Sequence, residues 1–320
     1  MGGWTAPPPD PSTVRFPGPW THRDVSANGI RLHISEAGDG PLVLMLHGFP
    51  EFWWCWRYQL VALREAGYRA VAVDLRGYGD SDKPPRGYDG WTLSGDVAGL
   101  IKSLGERRAH LVGHGWGGMI AWTVATLQPR LVRSVTVVAA PHPLALRRAV
   151  RRSLLHRNDS QARAMGPMVS AQWPIFPERA LVADRAAEVE RLMTRWAGPA
   201  WCARPSFRET VDANRAAMLV PHVAHSSLEY VRWAARSQLR SDGRRFAEAV
   251  DRRLTMPVLQ IHGAADPCLL EATALRSREW LGVGARFRKL TGVGHFPHEE
   301  APESTTELLL DFLGQFSDEA

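Results

Sequence analysis

Hydrophobic residues in this chain fall into runs of three kinds. In HRDVSANGIRLHISEAGDG two short alternating stretches flank Asn28-Gly29, the dipeptide of a tight hairpin turn. PLVLMLHG, YRAVAVDLRG, AHLVGH, VRSVTVVAAP and MPVLQIHG are nearly continuous apolar runs, as expected of strands buried on both faces. WRYQLVALREAG, WTLSGDVAGLIKSLG, residues 116–127 and PESTTELLLDFLGQF carry apolar positions at helical spacing, with Gly67 as a stop and Thr92 as a candidate cap. A last strand is expected within ARFRKLTGVG. Strands alternating with helices predict an α/β fold, a parallel sheet covered by helices.

The rhythm breaks near Pro141. Residues 142–250 have helical periodicity without buried strands and are rich in Arg and Trp, and alternation resumes afterwards. The simplest organisation is a Pro-rich leader (1–20), a core made of 21–141 and 251–320, and a helical cap (142–250) inserted between the core's two halves. No internal repeat is found.

Composition narrows the function classes. With 45% hydrophobic and 22% charged residues, a 320-residue chain has ample core for one large domain or one domain with an insertion. The net charge of +6 comes without aromatic-interleaved basic stripes or a nucleic-acid motif, so it reads as general surface charge and no nucleic-acid partner is expected. Arg147, Arg148, Arg151, Arg152 and Arg157 read as a solvated helix face. Cys55, Cys202 and Cys268 outline neither a disulfide framework nor a zinc site and fit a reducing compartment. The N-terminus has no apolar core of a signal peptide, and no run reaches membrane-span length, so a cytoplasmic protein is expected. Dinucleotide, P-loop and metal-ligand spacings are missing, so neither cofactor nor metal is expected. Oligomeric state stays open.

The chemistry centres on AHLVGHGWGGMIAW, residues 109–122, a strand, a tight turn and a helix start. Gly113-His114-Gly115-Trp116-Gly117 has the frame of a nucleophile elbow, whose flanking glycines let strand and helix backbones pass closely. The attacking residue's place is held by Gly115, which has no side chain. Taken alone, such a turn also suits phosphate binding or plain packing. Three other features stand at predicted strand ends, where α/β sheets hold their sites. His47-Gly48-Phe49-Pro50-Glu51 offers the Phe49 amide as a partner to the Trp116 amide in an oxyanion hole. Asp266 lies in Ala264-Ala265-Asp266-Pro267, and His295 in Gly292-Val293-Gly294-His295-Phe296. The order elbow, acid, histidine is that of the α/β-hydrolase triad, with His295 as base and Asp266 as its orienter. Asp266 could instead start a turn, and His295 be an ordinary loop residue. Trp53, Trp54 and Trp56 are expected to pack or to wall a pocket.

HGFPEFWWCWRYQL, DLRGYGDSDKP, the elbow, HGAADP and GVGHFPHEEAPE together resemble the epoxide-hydrolase branch of the α/β-hydrolase family, close also to haloalkane dehalogenases. The resemblance covers roughly residues 20–141 and 251–315. It implies a mostly parallel eight-stranded sheet with a helical cap inserted after strand six. It also implies a two-step reaction in which an elbow aspartate forms an ester that a His-activated water hydrolyses. In this chain that aspartate falls on Gly115. The family also uses two cap tyrosines to protonate the epoxide oxygen. Residues 142–250 contain one tyrosine, Tyr230, and the matching position falls nearer Val231.

Three functions follow from this reading. The protein is a hydrolase in which His295 and Asp266 activate water directly, with Trp116, Tyr230 and Pro50 at a small to medium apolar substrate. Or it is an inactive relative that binds an apolar ligand under the cap. Or it is an ordinary epoxide hydrolase whose residue 115 is engineered or misread.

Overall fold

The computed structural model describes residues 9–155 and 161–316. Eight strands form one sheet: β1 (Thr21–Ala27), β2 (Ile30–Ala37), β3 (Leu42–Leu46), β4 (Arg69–Val73), β5 (Ala109–His114), β6 (Val132–Val138), β7 (Val258–Gly263) and β8 (Arg286–Leu290). Their spatial order is β1-β2-β4-β3-β5-β6-β7-β8. β1 and β2 pair antiparallel, as do β2 and β4, and every later pairing is parallel. The expected α/β sheet, mostly parallel and eight-stranded, is therefore present. Every residue of β3, β5 and β7 is buried, which is why these segments read as unbroken apolar runs.

Local chemistry sets the connections. Asn28 and Gly29 both take positive φ, 48° and 78°, and bring Ala27 opposite Ile30, so the hairpin has the two-residue turn its sequence calls for. α1 (Arg57–Glu65) packs on β4, and α2 (Gly90–Ser103) packs against α3 (Gly115–Leu127). Thr92 does not cap α2. Asp89 does, accepting from the Trp91 and Thr92 amides at 3.0 Å each, while the Thr92 hydroxyl donates to the same carboxylate. Asp wins because its carboxylate sits one residue before the first helical turn and reaches two of that turn's unpaired amides.

Between β6 and β7 the regular elements among the described residues are all helices, including Pro143–Leu155, Phe176–Trp196, Pro205–Met218, Val223–Arg236 and Ser241–Val250. Phe176–Trp196 is broken at Ala183–Ala186, where three successive residues take positive φ. Of the N-terminal leader, the described part lies along the core. The Trp53 indole donates to the Val14 carbonyl at 2.9 Å, and Phe16 packs edge-on against Phe52 and Trp54. Trp53 and Trp56 are buried in the core cluster, and the half-buried Trp54 packs against it. Arg148 pairs with Glu279 and lies over the Trp280 ring, while Arg151 and Arg152 are exposed; Arg157 falls outside the described residues.

Candidate active site

The elbow is formed by β5 running directly into α3. Gly115, the first residue of α3, takes φ +50°, the left-handed region an elbow's central residue occupies. The flanking glycines are required by contact. A Cβ on Gly113 would fall 2.4 Å from the Gly117 carbonyl oxygen, and one on Gly117 would fall 2.2 Å from that of Leu46. Position 115 differs. A Cβ there would meet nothing nearer than Gly48 Cα at 3.6 Å and His295 Nε2 at 3.8 Å, which is ordinary contact. At 115, then, contact alone does not demand a glycine, although the positive φ favours one.

His295 and Asp266, 29 residues apart, meet at the ends of β8 and β7. His295 Nδ1 lies 2.8 Å from Asp266 Oδ2, and both side chains are buried. The other carboxylate oxygen accepts the Cys268 and Leu269 amides at 2.8 and 2.9 Å. Burial would raise the Asp266 carboxyl. The neighbouring His295, with His262 and the Leu269 amide, outweighs that and holds it below its ordinary value, as an ionised partner for the imidazole. With Nδ1 committed to Asp266, Nε2 is the nitrogen left facing position 115.

The loop after β3 supplies the opposite wall. Gly117 N–H donates to the His47 carbonyl at 3.0 Å, fixing this loop against the elbow, and the Phe49–Pro50 peptide is cis. Among the described residues neither the Phe49 nor the Trp116 amide donates to another group, as amides kept for an oxyanion would be. A cavity of about 40 Å³ opens here. Phe49, Gly115, Trp116, Met119 and His295 line it from the core, together with Cys268 and Leu269 after β7, while Met165, Met168 and Trp196 close it from the helical segment.

Two residues expected at a substrate lie elsewhere. Tyr230 is fully packed against Tyr78 and Tyr88, and its hydroxyl donates to the Arg76 carbonyl at 2.7 Å, so it does not line the cavity. Its ring reaches only the edge of Trp116, at 6.1 Å between centroids. Pro50 is buried but is likewise not among the lining residues.

Two buried acids escaped the sequence reading. Glu51 bridges two histidines, with His114 Nδ1 at 2.6 Å from one oxygen and His298 Nε2 at 3.1 Å from the other. His114 Nε2 in turn donates to the His295 carbonyl at 2.8 Å. Burial pushes against charge at both Glu51 and His114. Their mutual attraction nevertheless keeps the carboxyl well below its ordinary value and the His114 imidazole above its own. Burial takes His298 down to about 4, so it serves as a neutral donor. The ligand atoms of this trio lie within 4.8 Å of one another, near enough to hold a cation, and the hydrogen bonds among them already occupy those atoms. The second acid is Glu300. One of its oxygens accepts the Gly294 and Gly198 amides at 2.7 and 2.8 Å, and the other accepts Phe296 N–H at 3.0 Å. Both acids follow their loop's glycine within a few residues, in HGFPE and GHFPHEE, and the Phe-Pro pair shared by the two loops just ahead of an acid is the one local signal that marked them.

Residues 41–302 match the family described by the α/β hydrolase fold. The chain belongs to the α/β-hydrolase family. It is epoxide-hydrolase-like within it. It is 31% identical over 327 residues to epoxide hydrolase A of Mycobacterium tuberculosis, covering 92% of this chain and 97% of that one. Against epoxide hydrolase 3 of Siraitia grosvenorii identity rises to 47%, over 116 residues that make up 36% of this chain and 37% of that protein's length. The crystal structure of an epoxide hydrolase from Vigna radiata superposes with a TM-score of 0.78 at 27% identity, covering 93% of this chain and 99% of that one. Among the described residues no helix is long and apolar enough to cross a membrane.

Proposed function

We propose that this protein is a hydrolase of small to medium apolar epoxides or esters that works by direct attack of water, without a covalent intermediate and without a cofactor. His295 takes the proton from a water seated above Gly115, and Asp266 holds the imidazole in the tautomer that presents Nε2 as acceptor. For an ester, the water oxygen joins the carbonyl carbon and the Phe49 and Trp116 amides stabilise the oxyanion. For an epoxide, the water oxygen joins a ring carbon, that carbon–oxygen bond breaks, and the proton on His295 returns to the ring oxygen. The observation that carries this reading is the His295–Asp266 bond of 2.8 Å at a site where the Nε2 face looks onto a position with room and no side chain. Loss of a covalent nucleophile costs on the order of 10⁶-fold in turnover while oxyanion hole and binding retain roughly 10³–10⁴, so slow hydrolysis is expected.

The test is steady-state hydrolysis of styrene oxide and of p-nitrophenyl butyrate, with His295→Ala as control. Turnover that vanishes in that variant supports the reading; turnover that is unchanged in it sinks the reading.

One observation favours a second reading, a binding protein without turnover: the Tyr230 hydroxyl is spent on the Arg76 carbonyl, so no tyrosine among the lining residues offers an epoxide oxygen a proton. That reading predicts calorimetric binding of apolar epoxides or diols with no product formed.

A further inference from the structure

We propose that position 115, the Phe49 and Trp116 amides and His295 together form a binding site for a small carboxylate such as acetate or formate, and that the bound carboxylate opens an epoxide as a dissociable nucleophile. The proposal rests on the reading above for the second half of its cycle, the hydrolysis of an ester by His295-activated water.

Shape comes first. Acetate carries the carboxylate of an aspartate side chain without the bond to Cα, and the cavity lined by Gly115, Phe49, Trp116 and His295 gives it room with its methyl group in contact with the Gly115 backbone. No other elbow glycine tolerates a carbon there, since Gly113, Gly117 and Gly118 would all bring one within 2.4 Å of a neighbour. The cavity of about 40 Å³ exceeds the roughly 10–15 Å³ that one water needs by the same kind of measure.

Charge comes second. The site opens on the N-terminus of α3, a helix of 13 residues, where unpaired amides and the helix dipole favour an anion. An independent group points into it, serving the second step rather than the anion's charge: His295, 4% exposed, whose Nε2 has no partner among the described residues and stands as acceptor for the water that hydrolyses the ester. The protein's own acids nearby are committed. Asp266 is held by His295 and two amides, Glu51 by His114 and His298, and Glu300 by three amides. The anion must therefore come from outside the chain.

The chemistry closes as a cycle. A carboxylate oxygen bonds to an epoxide carbon, that carbon's bond to the ring oxygen breaks, and the ring oxygen takes a proton from solvent water, leaving hydroxide. Water activated by His295 then adds to the ester carbonyl, the bond between acyl carbon and diol oxygen breaks, and the diol oxygen takes the proton. The carboxylic acid released neutralises the hydroxide. The sum is epoxide plus water giving diol, with the carboxylate regenerated. One diol oxygen comes from the carboxylate on each turn.

The experiment measures diol formation from styrene oxide by the full-length protein in sodium acetate and in sodium chloride at equal pH and ionic strength. The protein-free rate is subtracted, and the acetate is labelled with ¹⁸O in both oxygens. The expected result is a saturable rise of roughly tenfold or more, modest because an untethered nucleophile forgoes most of its effective molarity, with ¹⁸O carried into the diol. Gly115→Asp should lose the response to acetate. Accumulation of the diol's monoacetate ester would support the carboxylate site and overturn the second half of the cycle, hydrolysis of the ester by His295-activated water. An unchanged or inhibited rate without label transfer, alongside His295-dependent turnover in chloride, would overturn the carboxylate route and leave the water mechanism standing.

Discussion

The backbone N–H of His295 donates to the carbonyl of Trp196 at 2.8 Å, joining the residue proposed as base to the last turn of a helix that closes the cavity. The Trp196 ring also packs edge-on against both His295 and Phe49, at 5.7 and 6.3 Å between centroids. His295, the loop that carries Phe49 and the helical segment therefore meet at Trp196. A change that loosens the segment at Trp196 should be felt at the imidazole before it is felt in the sheet.

Glu300 is the sharpest place to test that linkage. Its carboxylate gathers Gly294 and Phe296, the neighbours of His295, and Gly198, two residues beyond Trp196. Glu300→Gln turns one acceptor oxygen into a donor that faces amides. Each hydrogen bond to a charged group contributes about 1.5–3 kcal/mol, so the variant should lose on the order of 2–4 kcal/mol of stability by urea titration. Hydrolytic turnover should fall by more than the unfolded fraction explains. Wild-type turnover in a destabilised Glu300→Gln would show the clamp to be structural only.

A pH dependence follows from Glu51 and His114. The Glu51 carboxyl lies well below its ordinary 4.5, so its contribution is in place above pH 4.5 and is lost as pH falls through the lower folded value. The His114 imidazole lies above its ordinary 6.5, so its contribution is in place below pH 6.5 and is lost as pH rises through the higher folded value. The pair's share of stability is therefore largest between about pH 4.5 and 6.5 and declines on both sides. Urea midpoints measured across pH 4–9 should show this, and Glu51→Gln should flatten the difference on both flanks. A variant that shifts stability equally at every pH would contradict it.

Asp266→Asn isolates the orienting role. The amide oxygen of asparagine can still accept the Cys268 and Leu269 amides, so the fold should hold. The group facing His295 Nδ1 then becomes a donor and favours the wrong tautomer. Turnover should drop by about 10²-fold, the lower end of what a positioned general base contributes, with circular dichroism unchanged. A loss below tenfold would mean that Asp266 does not serve the reaction.

The strands were legible because burial on both faces forces unbroken apolar runs, as in Leu42–Leu46 and Val258–Gly263. Asp266 was legible because it closely follows such a run, and His295 because it stands in a Gly-rich loop after the strand Arg286–Leu290, in the chain order of a triad. The Glu51, His114 and His298 network was not. Its members come from three loops far apart in the chain, so no local spacing records their meeting. The same applies to Met165, Met168 and Trp196, which reach the cavity only through the path of the helical segment. Tyr230, expected at a substrate, packs against Tyr78 and Tyr88 with its hydroxyl on the Arg76 carbonyl, partners that no local spacing records.

Gly115→Asp decides whether the site is otherwise complete. At φ +50° a side chain costs about 1–3 kcal/mol, so the variant should be less stable than the natural protein by that amount. Its Cβ makes ordinary contacts, with Gly48 Cα at 3.6 Å and His295 Nε2 at 3.8 Å, so no neighbour has to move for it. Epoxide opening should then rise by several orders of magnitude, because the nucleophile is held in place rather than drawn from solution. Mass spectrometry of the quenched protein should find an ester on residue 115. In Gly115→Asp/His295→Ala that ester should persist, since opening needs the carboxylate and release needs the base. If Gly115→Asp folds and forms no ester with any apolar epoxide, the missing side chain is not the only element lost, and the Tyr230 hydroxyl held by Arg76 is the next place to look for what else the site lacks.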